Sequence, residues 1–185
     1  MQSRDIVMSI DGTRLDGALT TPYRARGLVM FAHGSGSSRL SPRNRAVAAT
    51  LVNAGLATRL FDLLDRNEER VDSRTAIYRF DIPLLANRLS AANDAAVGAV
   101  VSRGGRPDLA GDTLEHVSAP TLLIVGACDE QVLHLNRLAA AHLTCETAIE
   151  IVPGAPHLFE EPGALDMVAR LAASWFIRWL SAGLR

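Results

Sequence analysis

An aspartate and a histidine each follow an apolar run that is typical of a buried strand. Asp129 comes just after residues 119–126, and His157 comes just after residues 147–152. In a parallel sheet, the carboxyl ends of neighbouring strands share the edge at which open α/β sheets bind ligands. A carboxylate that orients an imidazole forms two-thirds of a nucleophilic triad. Taken singly, Asp129 is equally well explained as a helix N-cap, and His157 as a surface imidazole.

A glycine- and serine-rich loop is the third chemical feature of the sequence. Five apolar residues at 28–32 run without a break and are followed by His33, Gly34, Ser35 and Gly36. This pattern predicts a strand buried on both faces that ends in a loop. Backbone N–H groups of such a loop can bind an anion or a developing oxyanion. The alternative is a tight connection to the next helix that binds nothing.

The loop does not match either of the common nucleotide-binding glycine patterns. A P-loop needs a lysine after its second glycine, and this chain contains no lysine, since all 19 basic residues are arginine. The dinucleotide pattern needs a third glycine at the position that Arg39 occupies. We therefore expect neither kind of nucleotide site.

Length, charge and cysteine content exclude several classes of protein. The 185 residues predict a single domain over 1–185. With 19 basic and 20 acidic residues, the net charge is −1, so we expect neither nucleic acid nor a membrane surface as a partner. No stretch approaches the ~20 apolar residues of a membrane helix, and no signal-peptide core is present, which predicts a cytoplasmic location. Cys128 and Cys145 are expected to be reduced, buried thiols.

Strand and helix patterns alternate along the chain, which predicts a doubly wound, mostly parallel α/β sheet. Asp11 and Gly12 stand between two alternating runs and predict an N-terminal β-hairpin. Five further strands are expected at 28–32, 56–61, 97–101, 119–126 and 147–152. Helices are expected to begin near residues 42, 81, 108, 132 and 163, whereas the polar segment 65–79 is expected to be a surface excursion. Trp175 and Trp179 on the last helix are expected to pack in the core, and their face is one candidate surface for a homodimer.

Three segments of the chain resemble the dienelactone-hydrolase-like branch of the α/β-hydrolase superfamily, namely residues 29–38, 122–129 and 151–163. The resemblance covers nearly the whole chain. It implies a hydrolase of small esters or lactones that needs no metal or organic cofactor. It also implies that Asp129 is the triad acid, that His157 is the general base, and that Gly34 or Ser35 supplies an oxyanion-hole N–H.

One unit of the family pattern has no counterpart in this sequence. The family carries its nucleophile on a sharp strand-to-helix turn of the type G-x-S-x-G, and no such turn occurs here. The helix that begins near Asp81 leads almost directly into strand 97–101. A strand–turn–helix unit of about 30 residues is therefore missing. The sequence indicates a shortened α/β-hydrolase fold with a degenerate active site and impaired activity.

Three explanations of the missing unit stay open at this point. The chain is a degenerate hydrolase that forms no acyl-enzyme, or the natural protein has a segment that this sequence lacks. In the third explanation, Ser102 becomes the nucleophile, although Val100 stands where the turn needs a small residue. Strands 28–32 and 97–101 are expected to pair directly, because each buried unpaired backbone group costs about 1–3 kcal/mol.

A function of a different class is also compatible with the sequence. The loop over residues 33–38 can belong to a non-catalytic module that binds a small anion or a carbonyl compound. Ser37 and Ser38, like Ser35, are further candidate nucleophiles, but they stand where the oxyanion donors are expected.

Overall fold

The computed structural model describes residues 1–34, 37–92 and 96–180. The chain packs as two compact units, Met1–Ala96 and Val97–Arg185, and each unit has its own β-sheet. Ser35 and Gly36, which the sequence placed in the oxyanion loop, lie outside the described residues. The single domain expected from the chain length stays a prediction.

The first unit is built on a mixed sheet of four strands in the order β1-β2-β4-β3. The N-terminal hairpin joins β1 and β2 through Asp11 and Gly12, both with positive φ, as the Asp-Gly pair predicted. Strand β2 runs antiparallel to β4, and β3 runs parallel to β4. The strands are β1 (Gln2–Ile10), β2 (Thr13–Thr21), β3 (Leu28–Phe31) and β4 (Ala57–Phe61).

Three helices belong to the first unit, α1 (Pro42–Asn53), α2 (Arg66–Thr75) and α3 (Ile82–Ala91). Helix α1 begins at the predicted N-cap, because the Ser41 hydroxyl accepts the Asn44 N–H at 3.4 Å, and it packs on β4. Helix α3 begins at Asp81, whose carboxylate accepts the Leu84 N–H at 3.0 Å. Both helix starts were predicted because their cap residues are local sequence signals.

The segment 65–79 was expected to be a surface excursion, and most of its residues are exposed, but residues 66–75 form helix α2, which was not predicted. Its first turn is closed by a capping box, in which the Asp65 carboxylate accepts the Glu68 N–H at 2.8 Å and the Glu68 carboxylate accepts the Asp65 N–H at 2.9 Å. The helix lacks an apolar stripe, since Asp72 is its one buried residue. Capping and charge therefore define this helix, and hydrophobic periodicity does not reveal it.

The second unit is built on three parallel strands in the order β5-β6-β7. All six residues of β6 are buried, as expected for the central strand of a sheet covered on both faces. Helix α4 packs on β6 and β7, and α5 contacts all three strands. The elements are β5 (Val100–Arg103), a kinked 3₁₀ segment (Pro107–His116), β6 (Thr121–Gly126), α4 (Glu130–His142), β7 (Thr147–Val152) and α5 (Ala164–Leu180).

The predicted pairing of strands 28–32 and 97–101 is wrong. Strand β3 pairs with β4 in one sheet, and β5 pairs with β6 in the other, so each is an edge strand of its sheet. The prediction assumed that unpaired backbone groups would be buried and costly. Leu28 is 40% exposed and the rest of β3 is only partly buried apart from Val29. Backbone groups at an exposed edge bond to water, which removes most of that cost.

The structure bears on two further expectations, one about the cysteines and one about membrane-spanning helices. Cys128 and Cys145 are both free thiols, but Cys128 is exposed and Cys145 is half-buried, so the expectation that both are buried is wrong. Among the helices of the described residues, none combines the length and the apolar character needed to cross a membrane.

Asp72 connects α2 to the segment that follows it. Its carboxylate accepts the backbone N–H groups of Tyr78 at 2.9 Å and of Arg79 at 2.8 Å, and it accepts the Arg79 Nε–H at 2.7 Å. Burial by itself would raise the pKa of the Asp72 carboxyl. The hydrogen bonds and the charge of Arg79 outweigh burial and hold that pKa below its ordinary value.

Acid is expected to weaken the fold through Asp72. Because its pKa is lower in the folded chain than in the unfolded chain, the ionised carboxylate stabilises the fold above the unfolded pKa of about 3.9. That contribution is lost as the pH falls through the lower, folded pKa. In urea unfolding, wild type should exceed Asp72→Asn in stability at pH 6, and the difference should shrink steadily toward pH 2. An equal difference at both pH values would contradict the assignment.

Candidate active site

Asp129 and His157 come together beyond the ends of the neighbouring parallel strands β6 and β7. The His157 Nδ1 lies 2.7 Å from the Asp129 Oδ2. Because a carboxylate only accepts, Nδ1–H donates, which leaves Nε2 as the acceptor of the neutral ring. The Asp129 side chain is 15% exposed and the imidazole 55% exposed. The acid is thus enclosed, and the imidazole is accessible to a substrate or water from which it could take a proton.

Asp129 stands at the N-cap position of α4 without capping the helix. Its carbonyl accepts the Leu133 N–H at 2.9 Å, but its carboxylate makes no capping bond. The carboxylate is directed to His157 instead. Of the two interpretations that the sequence left open, the side-chain geometry favours orientation of the imidazole, whereas its catalytic role stays a prediction.

Gly126 lets the histidine loop cross the end of β6 at close range. A Cβ at this position would lie 2.6 Å from the Pro156 carbonyl oxygen and still closer to the Ala155 carbonyl oxygen. The Cys128 N–H donates to that same Ala155 oxygen at 3.0 Å. The loop that carries the acid and the loop that carries the histidine are therefore packed and hydrogen-bonded as one piece.

Phe159 anchors the far end of the histidine loop. Its side chain is buried, and its backbone has a φ of 55°, a left-handed conformation that costs a bulky residue about 1–3 kcal/mol. The Phe159 N–H donates to the Pro156 carbonyl at 3.3 Å, which closes a turn around His157. Burial of the ring offsets the backbone strain, so packing sets the direction in which His157 points.

The turn after β5 lies against His157 and is held by a buried amide. A Cβ at Gly104 would lie 3.2 Å from the His157 carbonyl oxygen and 3.7 Å from its Cε1. Asn136, fully buried on α4, donates its Nδ2–H to the Gly105 carbonyl at 3.0 Å and to the Val132 carbonyl at 2.8 Å. Its Oδ1 has no hydrogen-bond partner among the described residues. No sequence signal pointed to Asn136, because the Gly105 carbonyl that it holds is 31 residues away in sequence.

Ser102, the candidate nucleophile, lies in the same unit but makes no hydrogen bond to His157 among the described contacts. Its Oγ folds back toward Gly105, where an added Cβ would collide with it. The segment that follows is a 3₁₀ stretch starting at Pro107, not a long helix. The described residues thus bring acid and base together without a hydroxyl at Nε2. A nucleophilic role for Ser102 stays a prediction.

His33 ties down the loop after β3 in the first unit. Its Nε2 accepts the Leu63 N–H at 3.1 Å, so the neutral ring carries its proton on Nδ1, which lies 3.2 Å from the Gly34 carbonyl oxygen. Both ring nitrogens therefore contact groups of the protein backbone. The sequence suggested substrate binding for His33 and did not reveal this link between the loops after β3 and β4.

A cavity of about 460 Å³ opens over the same loop. One wall contains His33, Gly34, Ser37 and Ser38. Charged side chains of both signs complete the lining, namely Arg43, Asp62, Glu69, Asp72 and Arg79. Such a mixed lining suits a small polar molecule. Within the described residues, no group of three His, Cys, Asp or Glu side chains is arranged to hold a metal ion.

Three features define an α/β-hydrolase fold. They are the N-terminal hairpin, the β3-α1-β4 crossover and the acid–histidine pair beyond successive parallel strands. A crystal structure of dienelactone hydrolase from Anabaena variabilis is 46% identical, with a TM-score of 0.93 over 96% of this chain and 98% of that chain. This chain therefore belongs to the dienelactone hydrolase family. The esterase domain of a Rhodothermus marinus protein shares the fold at 17% identity, with a TM-score of 0.73 over 97% of this chain and 100% of its own.

Two curated Mycobacterium tuberculosis proteins, from strains CDC 1551/Oshkosh and H37Rv, are 50% identical to this chain over 87% of its length. Both are provisionally named phosphoribosyl transferases. The chain spans only 43% of their length, so that name covers proteins of which less than half is matched here. No protein-family model matches the chain.

The same alignments contain positions of the relatives that have no counterpart in this chain. They extend over 194 positions, whereas 87% of the 185 residues is about 161 residues. About 33 positions of the relatives altogether face no residue of this chain. This length is that of a strand–turn–helix unit.

Proposed function

We propose that this protein is an ester- or lactone-hydrolase-type protein that keeps the acid and base of the triad, lacks a built nucleophile and hydrolyses its substrates slowly. The 2.7 Å bond between Asp129 and His157 carries the proposal. An imidazole oriented by an enclosed carboxylate is the group that takes a proton from an attacking oxygen. The 46% identity to a protein named dienelactone hydrolase supports the ester or lactone class.

In this proposal, His157 activates water directly. The water oxygen attacks the ester carbonyl while Nε2 takes its proton, and the alcohol leaves with that proton when the tetrahedral intermediate collapses. Asp129 accepts the Nδ1–H bond throughout and stabilises the imidazolium that forms. Ser102 is not needed, since its Oγ lies beside Gly105. The proposed mechanism uses no metal ion and no organic cofactor. The cytoplasmic location and a homodimer stay predictions.

Hydrolysis of p-nitrophenyl acetate should depend on His157 and not on Ser102. We expect His157→Ala to lower kcat/KM by about 100-fold, at the lower end of what general-base catalysis contributes. Asp129→Asn should lower it similarly, while Ser102→Ala stays within about twofold of wild type. His134→Ala, which removes an exposed histidine of α4, is the matched control. A fluorophosphonate probe with peptide mapping should label no serine.

Two other outcomes of this experiment would contradict the proposal. Loss of activity in both His157→Ala and Ser102→Ala, with labelling of Ser102, would show a re-formed triad and contradict the missing nucleophile. Equal rates in all variants would exclude the acid–base proposal.

The cavity over the loop after β3 favours a second candidate function, the binding of a small anion or carbonyl compound without catalysis. Its lining includes Arg43, Arg79 and two serine hydroxyls. Equal esterase rates in all variants, together with a rise in Tm on addition of a small carboxylate such as benzoate, would select this candidate.

A further inference from the structure

Strand β3 lies at an edge of its sheet but has the composition of a central strand. Its four residues, Leu28–Phe31, are all apolar, which is typical of strands covered on every side. Only Val29 is buried, and Leu28 is 40% exposed. Edge strands are normally protected by charged residues, proline or bulges, and β3 has no charged residue and no proline. The strand is therefore built for a neighbour on its open side.

The backbone of β3 shows which N–H and C=O groups point to the open side of the strand. The Gly27 carbonyl accepts the Ala57 N–H at 2.9 Å, so Gly27 faces β4. Because successive residues of a strand direct their N–H and C=O groups to opposite sides, Val29 and Phe31 also face β4. Leu28 and Met30 direct theirs to the open side.

Helix α3 presents a second uncovered apolar surface next to this edge. Arg59 of β4 connects the two, because its Nη1 lies 4.0 Å from the Met30 Sδ and donates to the Ala92 carbonyl after α3 at 2.9 Å. The one buried residue of α3 is Arg88. The large apolar side chains of α3, and that of Phe80 two residues before the helix, are exposed or half-buried. They are Phe80, Ile82, Leu84, Leu85 and Leu89. A helix that buries only an arginine, which bonds to Glu68 of α2, leaves its apolar side chains without a packing partner.

We propose that this surface, the open edge of β3 with the apolar side of α3, docks a strand–turn–helix segment supplied by a second polypeptide. The relatives indicate the occupant, since about 33 of their aligned positions have no counterpart in this chain. That length accommodates one strand, one turn and one helix. Strand addition to an open edge draws its affinity from main-chain hydrogen bonds. The docking involves backbone and apolar groups of this chain, and it is measured as binding, so its failure is distinguishable from failure of the proposed hydrolysis, although the docked unit is the one that carries the nucleophile in the family.

The test titrates the full chain into a fluorescein-labelled synthetic peptide and follows its anisotropy. The peptide carries the longest continuous segment of the M. tuberculosis H37Rv relative that has no counterpart here. We expect saturable binding, and none by a peptide of scrambled order. Leu28→Pro should weaken binding by about tenfold, because it removes an N–H on the open side, and proline is tolerated at the first residue of an edge strand. Leu28→Ala keeps the N–H and should stay within about threefold.

Hydrogen exchange gives a second measurement that does not depend on the folding of a variant. Saturating peptide should slow exchange of the Leu28 and Met30 amides, while those of Val29 and Phe31 are protected already. No added protection, or equal binding by a folded Leu28→Pro variant, overturns the proposal. Protection of Leu28 and Met30 that appears without peptide and rises with protein concentration identifies a second copy of this chain as the occupant, and also overturns it.

Discussion

Arg88→Met is expected to lower the free energy of unfolding by about 3–5 kcal/mol, the range for removing one partner of a buried ion pair. Arg88 is 6% exposed. Its guanidinium donates to Glu68 Oε1 at 2.7 Å, to Glu68 Oε2 at 2.6 Å and to the Leu63 carbonyl at 2.7 Å. The bond to Glu68 raises the pKa of Arg88, although burial opposes it, so the side chain stays charged. Methionine would leave a partly buried carboxylate without its cation.

Urea unfolding measures this effect, and two variants control for it. Arg88→Met/Glu68→Gln removes the uncompensated charge and should be more stable than the Arg88 single variant. Arg66→Met removes an exposed arginine bonded to Asp16 at 2.9 Å and should cost less than about 1 kcal/mol. A loss below about 1 kcal/mol for Arg88→Met would show that the pair is open to water.

The Arg88 substitution should also alter the wall of the cavity in the first unit. Leu63 accepts from Arg88 through its carbonyl and donates through its N–H to His33 Nε2 at 3.1 Å. His33 in turn lies 3.2 Å from the Gly34 carbonyl oxygen in the cavity wall. Loss of the arginine therefore loosens the loop after β3 as well as the contact between α2 and α3.

Gly126→Ala is expected to displace the histidine loop and to cost about 3 kcal/mol or more. The added methyl group would overlap the backbone carbonyls of Ala155 and Pro156, which cannot rotate away as a flexible side chain can. Relief of that overlap moves His157 away from Asp129. Esterase activity should then fall as far as it does in His157→Ala.

The stability of Gly126→Ala is measured by urea unfolding, and the separation of the pair by loss of the hydrogen-bonded His157 Nδ1 proton from the NMR spectrum. Gly34→Ala is the control, because a Cβ there meets nothing within 4 Å and the backbone needs no positive φ. It should change stability by less than about 1 kcal/mol. Wild-type stability and activity in Gly126→Ala would disprove the packing argument.

Local signals made much of the fold predictable. The Asp11-Gly12 turn, the Ser41 and Asp81 caps and the unbroken apolar run of β6 each depend on residues close in sequence. The Asp65–Glu68 capping box was also present in the sequence, but the charge of the segment around it suggested an excursion and concealed α2. The meeting of Asp129 and His157 was foreseeable because neighbouring parallel strands end at one edge.

The sequence by itself determined the order of strands and helices apart from α2, the family resemblance and the positions of the acid and the base, since turn chemistry and apolar periodicity act over a few residues. Only the tertiary structure decided that β3 and β5 are edge strands, that Arg88 is buried on Glu68, and that Asn136 holds the turn beside His157. These features join residues far apart in the chain. Their energies depend on which surfaces stay exposed to water, and no local pattern encodes that.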